Sequence, residues 1–142
     1  MDETRAWLTL ASTRGVDGAL ATDLLAGFGS AHAAIEARKS ELTSLGISQA
    51  VASNLAQPEE TLIDTAMAWL EQDPAHHLVP IGSTDYPLLL GEIQDPPVVL
   101  FVKGQKPVLR EPQLAIVGSR NPSPSGRENA YAFASYLANC GL

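Results

Sequence analysis

The stretch Ala115-Ile-Val-Gly-Ser-Arg-Asn-Pro-Ser-Pro-Ser-Gly126 decides the fold class of this 142-residue chain. It contains the end of an apolar run, Leu114-Ala-Ile-Val117, which has the length and composition of a strand buried on both faces of a parallel sheet. Gly118 permits a sharp turn after this run, and Ser125-Gly-Arg-Glu128 has the capping-box spacing that begins a helix. Strand, glycine turn and helix together predict an α/β fold with the first unit of a Rossmann-like domain, and an anion site at the helix N-terminus.

The turn lacks the sequence motifs of several common sites. It has no Gly-x-Gly-x-x-Gly of a dinucleotide site, no Gly-Lys-Ser/Thr of a P-loop and no Gly-x-Ser-x-Gly of a nucleophile elbow. It does carry Arg120, whose planar guanidinium suits bidentate contact with a phosphate or stacking on a base. An ordinary surface arginine, or one paired with a carboxylate, is an equally open interpretation of this residue on its own.

Charge is distributed unevenly along the chain, whose formal net charge is −7. Residues 1–102 carry four basic and fourteen acidic side chains, a balance of −10, whereas residues 103–142 carry five basic and two acidic ones, a balance of +3. The five basic residues of the second part are Lys103, Lys106, Arg110, Arg120 and Arg127. Only this second part is a candidate surface for a polyanion.

Residues 1–72 are rich in alanine and leucine, and glycine turns interrupt them, which predicts short helices in a separate all-helical module. The second helix is expected to stop on Gly27 or Gly29, and Ser30 is expected to cap a third helix that runs through Arg38. Two helix-glycine-helix units indicate a SAM-like or helix-hairpin-helix-like module. The hairpins lack the Gly-apolar-Gly pattern and nearby basic residues, so packing or partner docking is favoured over DNA binding.

Two further helix starts are predicted in this module. Ser48 is placed to cap a fourth helix, and Pro58 is expected to open a fifth as its first residue. The longest apolar run of the chain, residues 98–102, is too short to span a membrane, and the N-terminus is acidic where a signal peptide would be basic. We therefore expect a soluble, cytoplasmic protein.

Residues 73–142 are predicted to form the second domain. Its first strands are expected at His77–Ile81 and Pro97–Lys103. The adjacent histidines His76 and His77 would point to opposite faces of an extended segment, and no ligand cluster accompanies them. We expect both to be exposed to solvent, and we expect neither a metal site nor a cofactor.

Three motifs in order resemble the DNA-processing protein A (DprA/Smf) family. They are Leu78-Val-Pro-Ile-Gly-Ser-Thr-Asp-Tyr-Pro87, then Leu89-x-x-Glu-Ile-x-Asp-Pro-Pro-Val-Val-Leu-Phe-Val-Lys-Gly104, then Ala115-Ile-Val-Gly-Ser-Arg-Asn-Pro122 with Gly126. The resemblance implies a cytoplasmic bacterial protein, not known as an enzyme, that binds single-stranded DNA, forms dimers and loads RecA recombinase during natural transformation. It also implies that residues 1–72 correspond to the family's N-terminal helical module, although they share only its general helical character.

The resemblance also suggests which residues bind DNA. The family's Gly-Ser-Arg lies at Gly118, Ser119 and Arg120, and the resemblance places that arginine on DNA phosphates. Lys103 and Arg127 are weaker candidates, for which an ordinary surface role is about as well supported.

The chain ends after one strand-helix unit, where family members continue with further strands. An apolar strand needs a neighbour on each side, so we expect these 142 residues to be part of a longer protein whose remaining part carries most of the dimer and RecA surfaces. Two other interpretations stay open. One is a Rossmann-like enzyme that hydrolyses nucleotides, and the other is a helical interaction module on an inactive, truncated chain.

Overall fold

The computed structural model describes residues 2–141. The chain divides into two compact units, one that extends through Leu109 and one that begins at Arg110. In the described part of the first unit, the helices are α1 (Glu3–Ser12), α2 (Gly18–Phe28), α3 (Ala31–Glu36), α4 (Lys39–Ser44), α5 (Gln49–Leu55), α6 (Glu60–Glu71) and α7 (Leu88–Gly91), and the strands are β1 (His76–Pro80) and β2 (Val99–Lys103). The second unit contains α8 (Pro124–Asn139), and a 3-10 helix (Lys106–Arg110) lies at the division.

The ends of the short helices follow from local side chains and from one glycine. Helix α2 ends at Gly29, whose φ of 82° is the left-handed conformation that glycine adopts without strain. Ser30 accepts a hydrogen bond from the backbone N–H of Ala33 at 3.0 Å, and Ser48 accepts one from Val51 at 3.2 Å. These three predictions are confirmed. Each feature depends only on residues close together in the sequence, so the sequence alone could predict it.

Two predicted helix boundaries in this module are wrong. Helix α6 begins at Glu60 and not at Pro58, because Glu59 keeps a ψ of 80° that is outside the helical range. Helix α3 ends at Glu36, because Ala37 is extended with a ψ of 141°. The chain then starts a separate helix, α4, at Lys39.

Helix α1 packs against both α3 and α6, and α3 also packs against α2. The main cluster of buried side chains includes residues of α1, α2, α3, α5 and β1. The most deeply buried large side chains of the first unit are Leu10, Leu24, Ile63 and Val79. Glu3 joins two of these helices, since its carboxylate accepts hydrogen bonds from the backbone N–H groups of Ala31 at 2.9 Å and His32 at 3.2 Å. The positive end of the helix dipole at the start of α3 also stabilises the Glu3 carboxylate.

The two strands pair antiparallel, from His76 opposite Lys103 to Pro80 opposite Val99. Both strands lie where the sequence predicts them, within two residues at each end. This hairpin belongs to the same compact unit as the helices, whereas the sequence suggests a boundary between residues 72 and 73. The division into domains at residues 1–72 and 73–142 stays a prediction.

The histidine pair at the start of β1 is half-buried, so the expectation that both side chains are exposed is wrong. His76 stacks on Trp69 of α6, and its Nδ1 lies 2.6 Å from the backbone oxygen of Trp69. His77 Nε2 lies 3.1 Å from the backbone oxygen of Gly104. Contacts with α6 could not be inferred from the strand pattern, because they depend on how the helix packs.

The described residues of the second unit form one long helix and an irregular segment. Residues 114–117 have no strand pairing in the described part of the chain, and Val117 is 90% exposed, so the strand predicted here is not observed. A strand needs a hydrogen-bonded neighbour, and these residues have none among the described ones. The α/β class is confirmed as helices with a small sheet, whereas the Rossmann-like and SAM-like descriptions stay predictions.

Candidate nucleic-acid interface

The Gly-Ser-Arg sequence lies in the irregular segment before α8, and the chain bends at Arg120 and Asn121. Gly118 is not the bend residue predicted from the sequence, because its φ is outside the left-handed range. A β-carbon added at Gly118 would meet nothing within 4 Å. In this structure, neither backbone conformation nor packing within the chain requires glycine at this position.

Serine hydroxyls order the loop between the bend and the helix. Ser119 Oγ accepts a hydrogen bond from the backbone N–H of Asn121 at 3.2 Å, which stabilises the bend. Ser123 Oγ accepts one from the N–H of Gly126 at 3.1 Å and lies 3.3 Å from Ser125 Oγ. Ser119 therefore has an observable role in loop geometry.

The residue that caps α8 is Ser123, and the predicted capping box of Ser125 and Glu128 is wrong. The helix starts at Pro124, whose fixed φ suits the first helical position, so the capping residue is the one before it. The Ser-x-x-Glu spacing does not indicate Ser123, although a serine directly followed by proline is a signal for this cap. Ser123 thereby sets where the first turn of α8, including Arg127, begins.

Arg120 and Arg127 are both exposed, and among residues 2–141 neither forms a salt bridge. Arg120 lies at the bend and Arg127 in the first turn of α8, where the positive end of the helix dipole adds to its charge. By contrast, Arg5 is paired with Glu60 and Asp64, and Arg38 with Glu41. Arg120 and Arg127 are therefore available to an external anion.

Lys103, at the end of β2, belongs to the first unit, whereas Gly118, Ser119, Arg120 and Arg127 belong to the second. Its Nζ lies 4.0 Å from Oδ2 of Asp73. The pKa of the Asp73 carboxyl lies below its ordinary value, mainly because it accepts a hydrogen bond from the backbone N–H of Ala75, and the charges of His76 and Lys103 add to this. Asp73 therefore offsets part of the charge of Lys103, whereas Arg120 and Arg127 have no salt-bridge partner among the described residues.

The glycine turns of the helical module differ from the Gly-Ser-Arg loop. Gly15 has a φ of 90°, and an added β-carbon would lie 2.9 Å from Cγ2 of Val51. Gly46 has a φ of 83°. Turn conformation explains both glycines, and packing against Val51 also explains Gly15, so neither points to a ligand.

The loop lies within the part of the chain that matches a known family of proteins. The family model of DNA recombination-mediator protein A matches residues 77–142, a range that includes β2, all of β1 except His76, and the complete loop. Protein Smf of Escherichia coli is 35% identical to the chain over 144 residues, which cover all of this chain and 37% of that protein. The chain belongs to the DprA/Smf family.

Two shorter matches lie within the DprA/Smf family. DNA processing protein DprA of Bacillus subtilis is 45% identical over 51 residues, which are 35% of this chain and 17% of that protein. DNA processing protein DprA of Streptococcus pneumoniae is 43% identical over 54 residues, 38% of this chain and 19% of that protein. The chain thus spans less than two fifths of the length of the curated relatives it matches. No solved structure gives a significant match to it.

No helix within residues 2–141 is long and apolar enough to cross a membrane.

Proposed function

We propose that this DprA/Smf-family chain takes part in DNA processing by binding the phosphate backbone of single-stranded DNA at the loop of residues 118–127. The observation that carries the proposal is the pair of exposed arginines, Arg120 and Arg127, which have no salt-bridge partner among the described residues and flank the start of α8. Arginine contacts phosphates with a planar set of N–H donors. The loop holds the strand and carries out no bond cleavage.

The distribution of charge supports this location. Residues 1–102 have a balance of −10, which repels a polyanion, whereas residues 103–142 have a balance of +3. DNA attracted to the chain is therefore directed to its C-terminal part. The turns of the helical module lie within the strongly acidic part.

Gly118 supports close approach of the backbone to a phosphate. Turn conformation or packing explains Gly15 and Gly46, but neither explains Gly118 in this structure. A glycine without such a reason is suited to a ligand that must come within hydrogen-bond distance of the main chain. We assign that role to Gly118, with the N–H groups around Ser119 as donors.

The finer functions in the proposal rest on membership of the DprA/Smf family. They are transfer of the bound strand to RecA recombinase, self-association as a dimer, and action in the cytoplasm during natural transformation. To the described residues of this chain we assign only the binding of DNA.

Fluorescence anisotropy of a labelled oligothymidine tests the proposal. The oligothymidine is titrated with the wild-type chain, with Arg120→Ala and with Arg14→Ala, at several salt concentrations. Arg14→Ala is the matched control, because it removes one exposed arginine from the helical module. The oligothymidine is examined on a denaturing gel afterwards to check that it is intact.

The wild-type chain is expected to bind with an affinity that falls as salt rises. Each phosphate neutralised on a single strand contributes about −0.7 to the slope of log affinity against log salt, so Arg120→Ala should weaken binding and flatten the slope by about that amount. Arg14→Ala should retain the wild-type slope. Equal effects of both substitutions would mean that only the overall charge matters and would remove the loop from the account.

A further inference from the structure

An exposed tyrosine lies one helical turn beyond Arg127 on α8. Tyr131 is 77% exposed, and the packing of the described residues gives no reason for an aromatic ring there. Residues four apart on a helix lie on one face, with β-carbons about 5–6 Å apart. Long side chains on a helix lean toward its N-terminus, so the ring of Tyr131 is directed toward the turn that carries Arg127.

A second exposed tyrosine on the same helix provides a comparison. Tyr136 is 70% exposed and lies nine residues after Arg127, which is about two and a half turns of helix. It therefore lies on the side of α8 opposite Arg127. Of these two tyrosines, only Tyr131 combines exposure with a position beside an arginine that has no salt-bridge partner among the described residues.

We infer that Tyr131 is a stacking platform for an unpaired base of the strand whose phosphate Arg127 contacts. This inference rests on the proposed function and adds the feature that selects single-stranded DNA. An aromatic face stacks on any of the four bases, and it can do so only when the base is released from its partner strand. Arg127 and Tyr131 then contact the phosphate and the base of one short stretch of strand.

Substitutions at Tyr131 separate stacking from charge. Tyr131→Phe keeps the aromatic face. Tyr131→Leu removes the aromatic face but keeps an apolar side chain, and neither substitution changes the charge. Tyr136→Leu is the matched control on the opposite side of the helix. Each variant is titrated against labelled oligothymidine, against an abasic oligonucleotide of the same length and against a duplex of that length.

Because Tyr131→Leu loses one stacked base, it should bind oligothymidine about 5- to 150-fold more weakly than the wild type does, with the salt slope unchanged. Tyr131→Phe and Tyr136→Leu should bind as the wild type does. The wild type should prefer oligothymidine to the abasic strand by a similar factor, and Tyr131→Leu should lose that preference. Duplex binding should not change in any variant.

The outcomes distinguish this inference from the proposed function. The inference is overturned if the wild-type chain binds oligothymidine and the abasic oligonucleotide equally and Tyr131→Leu has no effect. If Arg120→Ala still flattens the salt slope in that case, the phosphate site stands. An equal loss of affinity in Tyr131→Leu and Tyr136→Leu would also overturn the inference, because a general property of α8 would then be responsible. Absence of any binding by the wild-type chain would overturn both.

Discussion

The imidazole of His76 lies flat against the indole of Trp69, with ring centroids 3.9 Å apart and planes 5° from parallel. Phe101 approaches the same indole edge-on, with a centroid distance of 5.6 Å. These rings belong to α6, β1 and β2, so one aromatic cluster joins the last helix of the helical module to both strands of the hairpin. The cluster gives a physical reason why the compact unit extends across residue 72.

The stacked pair should contribute measurable coupling to the stability of the first unit. In a double-mutant cycle of Trp69→Ala and His76→Ala, we expect a coupling free energy of unfolding of about 0.5–1.5 kcal/mol. Urea unfolding measures it. The control cycle pairs Trp69→Ala with His77→Ala, since His77 contacts Gly104 instead, and it should be additive. Coupling near zero in the first cycle would contradict a stabilising stack.

Asp73 should make the first unit sensitive to acid. Its pKa is lowered in the folded state, first by the hydrogen bond from Ala75, so its contribution to stability is complete above the ordinary value of 3.8 and is lost as the pH falls through the lower folded pKa. Asp73→Asn should therefore destabilise the chain at neutral pH, and the difference from wild type should shrink well below pH 3.8. Urea unfolding at the two pH values measures it. Asp23→Asn, at an exposed site in α2, is the control. If the stability difference between Asp73→Asn and the wild type did not change with pH, the role given to Asp73 would be contradicted.

The start of α2 should tolerate no side chain at its first residue. A β-carbon on Gly18 would lie 2.2 Å from the backbone oxygen of Pro96, so Gly18→Ala should lower the free energy of unfolding by about 1–3 kcal/mol. Gly91→Ala is the matched control, because its nearest atom would be Tyr86 Cε1 at an ordinary 3.9 Å. Similar unfolding midpoints for the two variants would show that the contact between α2 and Pro96 is not tight.

Gly118 should matter for DNA and not for stability. Gly118→Ala introduces no clash and no left-handed backbone, so its thermal unfolding should match the wild type. Its affinity for oligothymidine should fall about tenfold or more, because the methyl group holds a phosphate away from the backbone donors. Unchanged affinity would remove the role assigned to this glycine.

Local signals in the sequence predict some helix boundaries and miss others, such as the starts of α6 and α8. The caps at Ser30 and Ser48 and the stop at Gly29 were predicted because each needs only neighbouring residues. The environment of His76 and the state of residues 114–117 depend on partners distant in sequence, so no local pattern determines them.

The candidate site also combines features that the sequence predicts with features that it does not. Residue types and motif order predict the loop and Arg120 as a DNA site, and this stays a prediction. The capping role of Ser123 was missed, because the Ser-x-x-Glu spacing two residues later matched a familiar pattern. The salt-bridge partner of Lys103 could not be foreseen either, since Asp73 lies thirty residues earlier in the chain.

The most direct test of the central claim is to locate the bound strand by NMR. Unlabelled oligothymidine is added to the isotope-labelled 142-residue chain, and backbone amide shifts are followed residue by residue. If the loop binds the strand, the largest shifts are expected at residues 118–127, and the turns at residues 13–17 and 45–48 should be unchanged. Shifts concentrated in those turns, with the loop unaffected, would contradict DNA binding at the loop and place the DNA on the helical module.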